Sequence, residues 1–307
     1  MVDLLNTESQ STSTFCKIRC EEWNEMNLLF SINDKFVTQL ATVLLSIKLN
    51  TQAQEFNVYV LQKDKLKRTD DLERVCKQLG MNYFPIKVND QLFSKAPVTD
   101  RYPTTIYYRL LAHRLLPQNL HKILYLDADV LCINDLSSLY ETSLDGYLYA
   151  SAIHTNLTNT TEVINKIRLQ NFDADGYYNS GVLLMNLDTI RKKVKDTDIF
   201  NYIRTHTLLL PDQDVLNALY GRYIKSVPDQ LYNFDTRKGG IYETISFGEW
   251  TTDWVMRNTV ILHYCGRDKP WLPTKNSGRY TALYKNYFQM TNKLISAALL
   301  LPPEKVN

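Results

Sequence analysis

The chain has 307 residues, 44% of them hydrophobic, and a formal net charge of +2. That length supports a sizeable core, as one large domain or two smaller ones. A balance so near neutral excludes a strong overall field for nucleic acid or an acidic partner.

The opening segment, MVDLLNTESQSTSTF, has no basic n-region and no long apolar stretch, so no secretory signal is expected. Residues 1–25 are polar and rich in Ser and Thr and read as a poorly ordered lead-in. From Asn27 to Asp34 (NLLFSIND) a short apolar run closed by turn formers predicts a buried strand ending at Asn33 and Asp34. Apolar residues at helical spacing follow in FVTQLATVLLSIKL. FNVYVLQ predicts a second strand, TDDLERVCKQLG a helix with an acidic start and a terminal glycine, and NYFPIKV a third strand. PTTIYYRLLAHRLLP predicts a helix opened by threonine and stopped by Pro117.

Strands and helices thus alternate before ILYLDADV, as in a parallel βαβα sheet of the α/β class. In such sheets ligands bind at the carboxyl ends of strands. Beyond it, LYASAI and GVLLMNL predict strands and PDQDVLNALYG a helix ending at Gly221. TVILHYCG predicts a strand ending at His263, and RYTALYKNYFQMTNKLISAALLL a long helix. No stretch approaches the ~20 apolar residues of a membrane span.

Asp127 and Asp129 stand at the end of the ILYL strand. Strand side chains two apart share a face, so the two carboxylates point together and Ala128 points away. Like charges that close need a compensating cation. The pair alone leaves two readings: a divalent metal, or a strand terminus held by solvent or by nearby Arg or Lys. His263, closing another apolar strand, adds a nitrogen ligand, which favours Mn²⁺ over Ca²⁺. Gly266 permits close backbone approach, and Lys269 is a point charge suited to phosphate. Asn179 opens the GVLLMNL strand beside Gly181, where an amide could bond a hydroxylated ligand or simply form a turn. Asp212, Gln213 and Asp214 begin a helix; one acid there is explained by the helix dipole, but three polar side chains exceed what a cap requires.

There is no G-x-G-x-x-G, no G-x-S-x-G and no H-E-x-x-H, and GYYNSGV lacks the Lys-Ser/Thr of a P-loop. The five cysteines, Cys16, Cys20, Cys76, Cys132 and Cys265, are an odd, scattered set that suits reduced thiols in a cytosolic protein. Asn156 and Asn159 match glycosylation sequons that, without a secretion signal, read as chance.

Taken in order, YLDADVLCINDL, YYNSGVLLMNL, PDQDVLNALY and HYCGRDKPW resemble the motifs of retaining glycosyltransferases of family 8, from about Asn27 to Trp271. That family includes bacterial lipooligosaccharide galactosyltransferases, related glucosyltransferases and glycogenin. The resemblance implies a GT-A fold, a mixed sheet flanked by helices, with a small C-terminal helical extension. It implies Mn²⁺, or Mg²⁺ in its place, on Asp127, Asp129 and His263. It places Ser31, Asn33, Arg109, Asp127, Ala128, Asn179, Gly266 and Lys269 around a UDP-glucose or UDP-galactose donor, and Asp212 and Gln213 beside the reacting carbon. Asn33 departs from the aspartate that many members carry there, so the uracil contact would use an amide.

The expected function is transfer of a hexose from a UDP-sugar to a glycan, glycolipid or glycoprotein acceptor, with retention and without nucleic acid. The competing readings are a metal-dependent nucleotidyltransferase or phosphohydrolase, and a non-catalytic partner subunit. The expected organisation is a lead-in (1–25), a catalytic domain (26–272) and a basic-aromatic tail (273–307). In that tail Arg279, Lys285 and Lys293 alternate with Tyr280, Tyr284, Tyr287 and Phe288. Such a helix either rests peripherally on an anionic membrane or packs on the domain.

Overall fold

The computed structural model describes residues 25–94, 96–99, 102–153, 169, 176–273 and 278–300. The expected lead-in, save Glu25, and both sequons lie outside them.

The first half forms β1 (Glu25–Ser31), α1 (Val37–Asn50), β2 (Glu55–Gln62), α2 (Thr69–Leu79), β3 (Asn82–Lys87) and β4 (Lys122–Leu126). These four strands pair in parallel, in the order β3-β2-β1-β4. β5 (Val130–Cys132) follows β4 and leaves this sheet. β6 (Tyr149–Ala152), β7 (Val182–Asn186) and β8 (Ile224–Val227) complete the seven-stranded sheet, with β7 antiparallel to both β4 and β6. β9 (Phe234–Asp235) and β10 (Ile261–His263) join β5 in a three-stranded sheet. Two helices matter below: α3 (Pro211–Tyr220) and α4 (Thr281–Leu300).

Both faces of the large sheet are covered, which is why its strands read as unbroken apolar runs. Leu28, Phe30, Val58, Val60, Leu124 and Leu126 pack in one core with α1 and α2. Their neighbours Leu29, Tyr59, Leu61, Ile123 and Tyr125 pack in a second core on the opposite face, with Val215 and Leu216 of α3. Gly80 stops α2 in the left-handed conformation, φ +64°, and its N–H bonds Lys77 O at 3.1 Å.

Three expectations are corrected. First, β4 ends at Leu126, so Asp127, Ala128 and Asp129 form a turn between two sheets instead of continuing a strand. Backbone bonds anchor that turn: Asp127 N donates to Gly181 O (2.8 Å) and Tyr264 N donates to Asp129 O (2.9 Å). Second, β1 ends at Ser31, and Asn33 Oδ1 caps the following turn by accepting from Lys35 N at 3.0 Å. Third, Thr104–Leu111 is a 3₁₀ helix, followed by only one α-helical turn, Ala112–Leu115. In 3₁₀ winding residues three apart eclipse, which lines Arg109 up over Ile106, and Arg109 Nε donates to Ile106 O at 3.0 Å.

The tail helix α4 lies on the domain. Tyr280 and Tyr284 are buried, and Tyr287 and Phe288 pack against the same aromatic cluster with Phe234, Tyr242 and Tyr264. Ile295 reaches the core beside α1 and α2. Packing on the domain therefore accounts for the aromatic side of α4, leaving Lys285 and Lys293 on the exposed side. Among the described residues no helix is long and apolar enough to cross a membrane.

Candidate active site

Arg109 is the centre of the first half of the site. It is 6% exposed and lies over the Tyr125 ring, 4.3 Å from the centroid. Its Nη1 donates to Ser180 O at 2.7 Å. Its Nη2 lies 2.8 Å from Asp127 Oδ1, and its Nε lies 3.3 Å from Asp212 Oδ2. Tyr125, on β4, adds a hydroxyl bond to Asp127 Oδ1 at 2.7 Å. Burial opposes the charge on Arg109, but Asp127, Tyr125 and Asp212 outweigh it and hold the guanidinium protonated.

The second half is built around Asp129. Lys269 Nζ donates to its Oδ2 and also to Tyr264 O at 2.7 Å. His263 Nε2 lies 3.2 Å from its Oδ1. Burial pushes the Asp129 carboxyl up, yet Lys269 and His263 hold it well below the ordinary carboxylate range. The question raised by two neighbouring acids thus has a direct answer: Arg109 compensates one and Lys269 the other.

The donor set nevertheless fits a divalent metal. Ligand atoms of Asp127, Asp129 and His263 lie within 4.8 Å of one another. Two carboxylates and an imidazole form the mixed oxygen–nitrogen set expected of such a site. His263 is 4% exposed, and its Nδ1 bonds Asn233 Oδ1 at 2.7 Å, which directs the other ring nitrogen toward Asp129. Gly181 closes the back of the cluster: a Cβ there would lie 2.6 Å from both Asp127 Oδ2 and His263 Cε1.

The start of α3 separates three polar side chains into two jobs. Asp214 is structural, accepting from Leu209 N (2.7 Å), Leu210 N (3.2 Å) and the Tyr177 hydroxyl (2.5 Å). Asp212 and Gln213 face Arg109 and Asn179. Gln213 Oε1 accepts from Asn179 Nδ2 and Ser180 N, both at 3.3 Å. Gln213 Nε2 is buried with no hydrogen-bond partner among the described residues, and Asp212 Oδ2 is buried with Arg109 Nε beside it at 3.3 Å but no hydrogen bond. Buried polar atoms without hydrogen bonds are costly, and here they mark a place for a polar ligand.

The structure therefore joins Arg109, Asp127, Asp129, Asn179, Asp212, Gln213, His263 and Lys269 in one connected cluster. Ser31 and Asn33 stand at the end of β1, where the Ser31 hydroxyl donates to Thr105 O at 2.6 Å, in the segment that carries Arg109. The Ala128 methyl is buried in the apolar core. Gly266 adopts φ +90° and sits against Arg237. Sequence reasoning missed Tyr125 and Asn233. Only Tyr125 carried a signal, its alternation two residues before Asp127.

A central mixed sheet with helices on both faces and an acidic turn at the end of its fourth strand is the GT-A arrangement. The fold matches that of the galactosyltransferase LgtC, solved with donor and acceptor sugar analogs, at TM-score 0.69 and 24% identity, covering 91% of this chain and 98% of that one. It also matches a glycosyltransferase, GlyE, of Streptococcus pneumoniae TIGR4, at TM-score 0.63 and 20% identity, over 92% of this chain and 66% of that one. Residues 27–275 match the model of glycosyl transferase family 8, and the chain belongs to that family. A lipopolysaccharide 1,2-glucosyltransferase of Escherichia coli is 26% identical over 263 residues, 83% of this chain and 75% of that protein. General stress protein A of Bacillus subtilis (strain 168) is 25% identical over 259 residues, 80% and 87% of the two chains.

Proposed function

We propose that this family 8 member is a retaining hexosyltransferase that takes glucose or galactose from a UDP-sugar, with Mn²⁺ held by Asp127, Asp129 and His263. The carrying observation is the direct linkage of that donor set, through Arg109, to the buried carboxylate of Asp212, beside the buried Gln213 Nε2 that has no hydrogen-bond partner among the described residues. Mg²⁺ suits the two carboxylates but is the poorer match to an imidazole. The acceptor is a glycan, glycolipid or glycoprotein.

When bound, the cation would neutralise charge developing on the departing diphosphate. The chain's own groups divide the remaining work. Lys269, reaching over Asp129, supplies a positive charge to the same leaving group. Arg109 holds Asp127 and Asp212 in fixed relation. Asp212 offers a carboxylate oxygen to an electron-poor anomeric carbon, Gln213 Nε2 donates to an oxygen of the bound donor beside it, and Asn179 bonds a sugar hydroxyl. UDP leaves as an anion, so no strong general acid is required. The amide of Gln213 is a poor nucleophile and Asp212 is engaged by Arg109, which supports front-face attack over a covalent intermediate. Mass-spectrometric trapping of a glycosyl adduct on Asp212 or Gln213 would refute that route.

A UDP-release screen across UDP-sugars with Mn²⁺, first alone and then with candidate glycans, tests the activity. UDP release with one hexose donor is expected; failure of every UDP-sugar to bind or react removes the reading, and release of free phosphate in its place favours a phosphohydrolase. The remaining support for a membrane contact is Lys285 and Lys293. Flotation with anionic liposomes, before and after changing both to glutamate, measures it, and identical flotation removes it.

A further inference from the structure

Asp235 and Arg237 have no part in the site described so far. Asp235 ends β9, is 1% exposed, and stands in register with His263 of β10. Its carboxylate accepts from Arg237 Nε at 2.9 Å, Nη2 at 2.6 Å and the Arg237 backbone N at 3.0 Å. This two-pronged grip fixes the plane of the guanidinium. The third nitrogen, Nη1, has no hydrogen bond among the described residues, and it faces Gly266: a Cβ on Gly266 would lie 2.7 Å from it. Gly266 has φ +90°, a conformation side chains rarely adopt, so both its backbone and its neighbour require glycine. Neutralising Asp235 needs only two of the three nitrogens. The remaining edge lies against a bare stretch of backbone in the turn that leads to Lys269.

The other arginine of the site cannot supply such an edge. Arg109 Nη1, Nη2 and Nε each have a protein acceptor already. Arg237, with its side chain 52% exposed, has a donor to offer. We infer that Arg237, oriented by Asp235, is an additional phosphate-binding residue that contacts the diphosphate of the nucleotide. The inference rests on the UDP-sugar reading and adds to it a second cation, beside Gly266 in the turn that leads to Lys269.

Calorimetric titration of the full chain with UDP and with uridine, both in Mn²⁺, tests it. Arg237→Gln is the direct variant, but it leaves Asp235 buried and unpaired. The paired variant Asp235→Asn/Arg237→Gln removes both charges together, and its melting temperature reports on the fold. UDP affinity should fall at least about tenfold in both, as for loss of a charged hydrogen bond. Uridine affinity should not change, and Arg237→Lys should retain part of the UDP affinity. A folded paired variant that binds UDP as the parent does overturns the inference, as does an equal loss for UDP and uridine. If the parent binds no UDP, the UDP-sugar reading itself fails.

Discussion

Asn233 Oδ1 accepts a hydrogen bond from His263 Nδ1 at 2.7 Å. An amide oxygen can only accept, so Nδ1 is the donor there; Nε2 donates to Asp129 Oδ1 in this structure and is the nitrogen left to ligate a metal once that proton is lost. Asn233 thereby selects the tautomer that can ligate a metal. Asn233→Ala should weaken Mn²⁺ binding by about 10–100-fold, the range for loss of such a supporting contact. Free Mn²⁺ measured by electron paramagnetic resonance gives the affinity directly; an unchanged value refutes the assignment.

Gly181→Ala should damage the same site from behind. The new methyl would meet Asp127 Oδ2 and the His263 ring at 2.6 Å, below any contact real side chains make. Because Gly181 O also anchors Asp127 N, the strand cannot move aside cheaply. We expect loss of Mn²⁺-dependent UDP release together with a stability loss of about 1–3 kcal/mol, typical of overpacking. Urea denaturation and the release assay on one preparation check both parts.

Asp212 illustrates a trade of stability for function. Burial pushes its carboxyl above the ordinary range, with Arg109 pulling in the opposite direction. A carboxyl raised in the folded state favours folding while it is protonated, at acid pH. That contribution is lost as pH rises through the folded pKa, so at neutral pH ionised Asp212 is a net cost. Asp212→Asn should therefore raise the melting temperature at pH 7, with a smaller gain at pH 4, while abolishing transfer. Differential scanning calorimetry at the two pH values decides it; destabilisation at pH 7 contradicts the argument.

The C-terminal helix should behave as part of the domain. Tyr284 is fully buried, with ring centroids of Tyr264 and Trp271 at 5.1 and 5.4 Å. Tyr284→Ala should cost about 3–5 kcal/mol, as for other large aromatic truncations in cores. Equilibrium denaturation followed by tryptophan fluorescence gives the value, and a cost near zero would mean that α4 is not docked in solution.

The large sheet was legible because burial on both faces writes an unbroken apolar run into each strand, as in Leu28–Phe30 and Ile123–Leu126. Its parallel half followed from the helices between strands. The site was legible where its residues close such runs, as Asp127 and His263 do. Strand alternation, however, was the wrong reason for pairing Asp127 with Asp129; a turn between two sheets brings them together, and no local pattern distinguishes the two. Asn233 and Asp235 were hidden for another cause. Their partners lie 30 positions away for Asn233, or in a side chain, Arg237, whose meaning depends on Gly266 in a different segment. The 3₁₀ winding at Thr104–Leu111 has the same apolar spacing as an α-helix and shows itself only through Arg109.

The turn at Asp127–Asp129 is also where the chain passes from the seven-stranded sheet to the three-stranded one. Asp127 is tied to Gly181, which leads into β7 of the first, and His263 belongs to β10 of the second. Any cation shared by Asp127, Asp129 and His263 would act as a cross-link between the sheets. Metal affinity would then be stored partly as tertiary stability, growing as RT ln(1 + [metal]/Kd). A chelator would loosen the seam between the two sheets while leaving the core of each strand pair intact.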